Sequence, residues 1–184
     1  MPETKIKKKK WYSIIAPKLF NNAIIGEVPL LETKSIIGRK VKVNLMSITS
    51  DIKRQNINVT FLITNFENNR ATTELIGYSL TNSSIKRMVR RGLTRIDTTV
   101  TCKTSDKKDV KLKFIVITYG RVVKNVSNSI KKLISSEITK YCEKGTYESL
   151  VKEIISSKLQ KELKNKAKKI HPIKILEVRS MEKI

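Results

Sequence analysis

Strict alternation across residues 95–104, ahead of a turn and a second strand, is the feature that most restricts how this chain can fold. Ile96, Thr98, Val100, Cys102 and Thr104 alternate with Arg95, Asp97, Thr99, Thr101 and Lys103, the period of a strand with one buried face. The polar run Ser105, Asp106, Lys107, Lys108, Asp109 predicts a hairpin turn. A second strand follows over 110–119, with Lys111 and Lys113 outward at its start and apolar residues on both sides further on. Immediately upstream, Thr81, Asn82 and Ser83 are N-cap candidates for a short helix that stops at Gly92. At about 100° per residue, its Ile85, Met88 and Val89 form one stripe, and Lys86, Arg87, Arg90 and Arg91 spread over the other side.

The period of two recurs earlier in the chain. Val41, Val43 and Leu45 point inward with Lys40, Lys42 and Asn44 outward, and Ile57, Val59, Phe61 and Ile63 give another strand. A loop through Ser50, Asp51 and Lys53, carrying Arg54, lies between them. A turn at Glu67, Asn68 and Asn69 leads to a strand over 71–80, in which Gly77 marks a bulge or bend. Consecutive strands joined by hairpin turns predict an α+β fold built on a curled antiparallel sheet or small β-barrel, since closure hides strand edges.

After Arg121 the period becomes helical. Ile130, Leu133, Ile134, Ile138, Tyr141 and Cys142 share a face up to a stop at Gly145. Thr146 caps a second helix with Tyr147, Leu150, Val151, Ile154 and Ile155 as its core side. Ser157 and Gln160 have capping-box spacing for a third, where Leu159, Leu163, Ala167 and Ile170 pack and Lys158, Lys161, Lys164, Lys168 and Lys169 stay out. Pro172 ends it, and 173–181 reads as a C-terminal strand. Residues 17–38 read as an extended, irregular wrap. With no repeat and no Pro/Gly/Ser linker, the expected organisation is a basic, extended N-terminal arm over 1–20 and a single globular α+β domain over 21–184.

Charge narrows the partner. The 184 residues carry 39 Lys and Arg against 16 Asp and Glu, a formal net charge of +23. Charges within a Debye length of about 8 Å repel one another at physiological salt, so such a chain works beside a polyanion. Nucleic acid leads, because cations that neutralise phosphates release counterions and gain affinity without reading sequence. A membrane is disfavoured: no apolar run approaches the roughly 20 residues of a spanning helix, and no lipidation motif is present. The start, Met-Pro-Glu-Thr-Lys, lacks the apolar core of a signal peptide, so a cytoplasmic location is expected.

Catalysis finds little support. His171 is the only histidine, and it precedes a proline at a helix exit, where a surface or capping role suits it better than general base chemistry. There is no Gly-x-Ser-x-Gly elbow, Walker sequence or dinucleotide fingerprint, so no cofactor is expected. Two cysteines and one histidine make no metal constellation, and Cys102 and Cys142 read as ordinary buried thiols. Asp97, Asp106 and Asp109 suggest a Mg²⁺ site only weakly, since two of them sit in a lysine-rich turn and read as solvated.

The cations are the better candidates. A lysine face on one helix is usually just solvated, and a solvated surface mixes both signs. Here the arm, the helix before Gly92, the end of the long strand and the last helix are all biased positive. Candidate RNA contacts are Lys7, Lys8, Lys9 and Lys10 with Trp11 in the arm, and Arg39 and Arg54 beyond it. Lys86, Arg87, Arg90, Arg91, Arg95, Arg121, Lys124, Lys164, Lys168 and Lys169 complete the set. Arginine adds a planar fork that grips phosphate through two donors or stacks on a base. Trp11 has two readings, an anchor of the arm or a base-stacking platform, with packing the weightier. Few exposed aromatics are expected and no RNP-type motif appears, so recognition should be of backbone and shape.

Several blocks carry a family resemblance. Lys9-Lys10-Trp11-Tyr12 with Ala16-Pro17, Phe20 and Ile25-Gly26 is similar to the opening of the small-subunit ribosomal proteins of archaea and eukaryotes called S-one-e or S-three-A-e. Gly38-Arg39 before a strand, Ser84-Ile85-Lys86-Arg87-Met88-Val89-Arg90-Arg91, Arg95-Ile96-Asp97, Val100 and Lys103-Thr104 resemble its next blocks. Lys168-Lys169-Ile170-His171-Pro172 resembles its C-terminal signature, where an aromatic commonly replaces His171.

The resemblance implies a barrel-like β core with helices, on the platform of the small subunit near the messenger exit and the 3′ end of the small-subunit rRNA. Expected partners are that rRNA, neighbouring small-subunit proteins and messenger near the exit. Lys107 stands where the family often has glycine, and Lys113, Lys131 and Lys132 stand where relatives carry arginine. The length points to an archaeal-type or reduced member. A free, sequence-tolerant RNA-binding barrel or RNA chaperone is the alternative, and an enzyme is the weakest reading.

Overall fold

The computed structural model describes residues 9–31, 36–67 and 69–184. The elements run β1 Lys10–Ile15, β2 Ile24–Leu30, β3 Lys40–Asn44, α1 Leu45–Thr49, β4 Ile57–Glu67, β5 Arg70–Leu80, α2 Asn82–Met88 and β6 Arg95–Lys103. They continue with β7 Asp109–Thr118, α3 Lys124–Lys144, α4 Tyr147–Ile155, α5 Lys158–Ala167 and β8 Ile173–Lys183. The chain forms two compact units, Met1–Ile76 and Gly77–Ile184. The fold is α+β with a mixed sheet of eight strands.

In the first unit the strand order is β2-β1-β5-β4-β3. Residues expected to be an arm and an irregular wrap instead form a hairpin, with Tyr12 opposite Val28 and Ile14 opposite Gly26. Alternation explains it. Tyr12 and Ile14 turn inward, joining Leu30, Ile36, Ile63 and Ala71 in one cluster. Tyr12 meets Phe66 edge-to-face at 5.1 Å, a geometry the ring quadrupoles favour. Trp11, one residue out of phase, is 66% exposed, so Tyr12 is the anchor and the packing reading of Trp11 is overturned. The helix α1 was not expected; Asn44 makes it by accepting a hydrogen bond from Met46 N at 2.9 Å, a standard N-cap bond.

In the second unit the order is β5-β8-β7-β6, and Gly77 pairs with Glu182 in regular register with its neighbours. The β6–β7 hairpin has the register its alternation predicts, from Arg95 opposite Ile117 to Lys103 opposite Asp109. One face of β7 meets the α3 side, where Cys142 of α3 contacts Cys102 of β6. The other face meets α2, whose Ile85 and Met88 cover Ile115 and Ile117 together with Leu93 and Ile175. Burial on both faces is why β7 reads as a continuous apolar run from Phe114.

The curled antiparallel sheet or barrel is not what forms. Ser13–Ile15 of β1 pair with Arg70–Thr72 of β5 in parallel, and among the described residues β2, β3 and β6 each pair with a single strand. Helices on both faces of β7 bury its side chains, so burial there needs no closure.

Local chemistry sets the helix ends. Thr146 accepts from Ser149 N at 3.3 Å as the N-cap of α4. Asp106, read as a solvated turn residue, also accepts from Tyr147 N at 3.0 Å and so serves a donor of the first turn of α4. Ser157 adopts φ +58° and makes no capping bond, so the expected capping box is absent. Gln160 instead donates through Nε2 to Ile154 O at 3.0 Å. Lys166 of α5 contacts Glu137 of α3, and that bond holds the Glu137 carboxyl below its ordinary range.

Candidate RNA interface

The basic segments of the second unit converge through Thr94. Its carbonyl accepts from Thr118 N at 3.1 Å and its amide donates to Gly120 O at 3.3 Å. Its hydroxyl accepts from Val122 N at 3.1 Å. Tyr119 N in turn donates to Pro172 O at 3.3 Å. Backbone bonds thus gather the loops before β6, after β7 and before β8 at one end of the sheet. Those loops carry Arg90, Arg91, Arg121, Lys168 and Lys169, with Arg95 at the start of β6 and Lys124 at the start of α3.

The helix that carries the first cations is shorter than its sequence suggests. It ends at Met88 with Val89 extended, and Arg90 and Arg91 lie in a turn closed by Leu93 N donating to Arg90 O at 3.3 Å. Gly92, at φ +81°, fills the third position of that turn, where a left-handed backbone is required. Gly92 therefore ends a turn, not the helix. Arg90 and Arg91 are exposed in that turn between α2 and β6, and Lys86 and Arg87 stay on the exposed side of α2.

No carboxylate stands in residues 89–95, 119–125 or 168–173. Among the described residues no salt bridge engages Arg90, Arg91, Arg121, Lys124, Lys168 or Lys169. The N-terminus of α3 adds to the potential: its cap residue Val123 offers no side-chain bond and its first turn has no acid. Unpaired N–H groups and the helix dipole there favour an anion. Tyr119 is 65% exposed and Val123 71% exposed on the same loop. Tyr119 was missed because it ends an apolar strand, although outward phase after buried Thr118 marks it.

Of the residues at this end Arg95 is already paired, and the other sequence candidates stand elsewhere. Arg95 is held by Asp97 at 2.8 Å, and Arg54 by Asp51 at 3.3 Å. Lys164 does not stay out: its Nζ donates to Lys174 O at 2.6 Å. Lys9, Lys10, Trp11 and Arg39 are exposed in the first unit. Lys7 and Lys8 lie outside the described residues. Among the described residues no group of His, Cys, Asp and Glu is placed to hold a metal, and no helix is long and apolar enough to cross a membrane.

The chain matches the Ribosomal S3Ae family over residues 3–184. It belongs to that family. It is 31% identical to the small ribosomal subunit protein eS1 of Methanothermobacter thermautotrophicus, over 94% of this chain and 88% of that protein. It is also 31% identical to the protein of that name from Methanobrevibacter smithii, over 94% of this chain and 89% of the relative. Against the Saccharolobus islandicus protein the figures are 29%, 95% and 84%. As a Ribosomal S3Ae member the chain is a ribosomal, structural protein and not an enzyme.

Proposed function

We infer that this chain is a structural constituent of the small ribosomal subunit that holds rRNA with the Thr94-centred end of its second unit. One observation supports the reading: three acid-free loops that carry arginines and lysines are fixed to one another by backbone bonds. Such a surface neutralises phosphates in fixed positions and reads backbone shape instead of sequence. Its place is the platform, near the messenger exit and the 3′ end of the small-subunit rRNA, among neighbouring small-subunit proteins on cytoplasmic ribosomes. Exposed Trp11 and Tyr119 add stacking surfaces for unpaired bases.

The test replaces Arg90, Arg91 and Arg121 with alanine and measures binding to small-subunit rRNA against salt. The slope of log affinity against log salt should fall by about 0.9 for each lost phosphate contact. An unchanged slope would show that this surface is only solvated.

A further inference from the structure

The sheet of the first unit buries one face and turns the other outward. Tyr12 and Ile14 of β1 and Ala71 of β5 join its core, so by strand alternation Trp11, Ser13 and Arg70 point to the opposite side. The registers set them in rows. Ser13 stands between Glu27 of β2 and Arg70 of β5, and Trp11 faces Pro29 of β2 in the next row. Among the described residues β5 pairs with β1 only from Ser13 onward, so Trp11 has a strand partner on one side alone.

The fold makes no use of the Trp11 ring. It is 66% exposed, and among the described residues the ring contacts are Tyr12 with Phe66, Phe20 with Phe61 and Lys108 over Tyr147, none of which engages it. Its surroundings are apolar and cationic. Pro29 across from it is exposed, as are Lys9 and Lys10 just before it, and Leu31 is 52% exposed. Arg70 is exposed, and no described carboxylate holds it in a salt bridge. The nearest acids are Glu27, beyond Ser13 from Arg70, and Glu67, across the β4–β5 turn, where Asn65 Nδ2 donates to it at 2.7 Å.

A lone exposed ring needs no explanation. This one has positive charge on both sides along the strand: Lys9 two residues before it, and Arg70 level with Ser13 two residues after it, each about 7 Å away in strand rise. A partner that fits carries the complement, a flat apolar group with negative charge on either side. Every nucleotide of an unpaired strand has that form, a base between its 5′ and 3′ phosphates, whereas an acidic peptide has it only in particular sequences. Bases inside a duplex are withheld, because their faces are already stacked on neighbours. Stacking on an aromatic ring serves any base, since each has a π-face, and the arginine fork grips phosphate through two donors.

We propose that this corner of the first unit, Trp11 with Lys9 and Arg70 on either side and Pro29 across from it, binds single-stranded RNA by stacking one unpaired base on the indole, whatever the base. The proposal rests on the reading of the chain as an RNA binder and deepens it. It adds Arg70, which lies outside the basic set read from the sequence, and it gives the first unit a target of its own: unpaired strand, where the Thr94 surface reads backbone shape.

Trp11 is the only tryptophan, so intrinsic emission reports on this corner alone. The full chain is titrated at physiological salt with a short single-stranded RNA of mixed sequence, with the same strand paired to its complement, and with an abasic strand carrying the same phosphates. The single strand should quench the emission, and the duplex and the abasic strand should bind through charge and leave it unchanged. Trp11→Ala should weaken binding of a dye-labelled single strand at least about fivefold, the low end for one stacked base, and Trp11→Phe should restore part of that loss. Arg70→Ala should lower the salt slope by about 0.7, the share of one phosphate contact on a single strand. Both side chains are exposed, and thermal melting checks that the variants fold. Equal quenching by all three polyanions, no quenching by the single strand, unchanged affinity of Trp11→Ala or a slope indifferent to Arg70 overturns the proposal. Quenching by an acidic peptide and not by RNA assigns the corner to a protein partner and overturns it too. The salt slope of the Arg90, Arg91 and Arg121 variant on rRNA is measured alongside: its expected fall, with no quenching at Trp11, removes this contact and leaves the Thr94 surface standing.

Discussion

The Sγ of Cys102 on β6 lies 2.7 Å from the Sγ of Cys142 on α3, and both residues are buried. The contact fastens the longest helix to the outer strand of the second unit. The shared hydrogen bond and then burial push the Cys142 thiol up, while the same bond draws Cys102 down. Both sulfurs are out of water, and an inaccessible thiol reacts slowly whichever way it is shifted. A thiol reagent should therefore label neither cysteine in the native protein and both once it unfolds. Diamide added during refolding, while both thiols are reachable, should join the sulfurs with loss of two hydrogen atoms to the diazene, read by mass spectrometry. With 40 positions between them, the closed loop would stabilise the fold by up to about 4 kcal/mol in the chain-entropy account. Rapid native labelling, or oxidation that lowers the melting temperature, would contradict this arrangement.

Lys107 occupies a left-handed backbone, φ +58°, in the β6–β7 turn, where its amide donates to Thr104 O at 2.9 Å. A side chain there meets the carbonyl that glycine avoids. Lys107→Gly should stabilise the protein by about 0.5–1 kcal/mol after the entropy glycine adds to the unfolded chain. Differential scanning calorimetry should show a rise of about 1–4 °C. A fall would mean the Lys107 side chain makes a compensating contact.

Glu177 gives the stability a pH dependence of known sign. Its carboxyl is raised in the folded state, first by burial. As pH rises from acid, the unfolded chain loses this proton before the native one does, so stability is lost through the interval from the ordinary carboxylate value up to the raised one. Glu177→Gln should melt higher than the parent at pH 7, and the gap should shrink toward zero near pH 4. A gap of constant size across that range would show that the native carboxyl titrates normally.

Thr94→Val keeps shape but removes the hydroxyl that accepts from Val122 N. The orphaned amide should cost about 1–3 kcal/mol, and hydrogen exchange at Val122 should speed up while exchange in the core of β7 stays slow. Unchanged protection at Val122 would show that the loop after β7 is held by other means.

The sequence made the β6–β7 hairpin and the faces of α3 and α4 legible because each has one buried side and an uninterrupted period. It misled where a single residue had two plausible roles. Gly92 has the signature of a helix stop, yet a turn takes it first. Ser157 and Gln160 have the right spacing for a capping box, which the left-handed backbone of Ser157 defeats. Lys164 belongs to a polar stripe by phase, and only the missing strand beside β8 exposes the carbonyl that draws it in. The partner class was readable from net charge; the gathering of distant loops was not, because Thr94 and Pro172 do it through backbone atoms that no side-chain pattern announces.

That division of labour has a consequence for how such a protein can change. At Thr94, Thr118, Gly120 and Pro172 the frame is written mostly in amides and carbonyls, while the cations merely hang from it. A lineage can therefore trade arginine for lysine, or shift a charge by one position, and the surface keeps its outline while its attraction for phosphate is retuned.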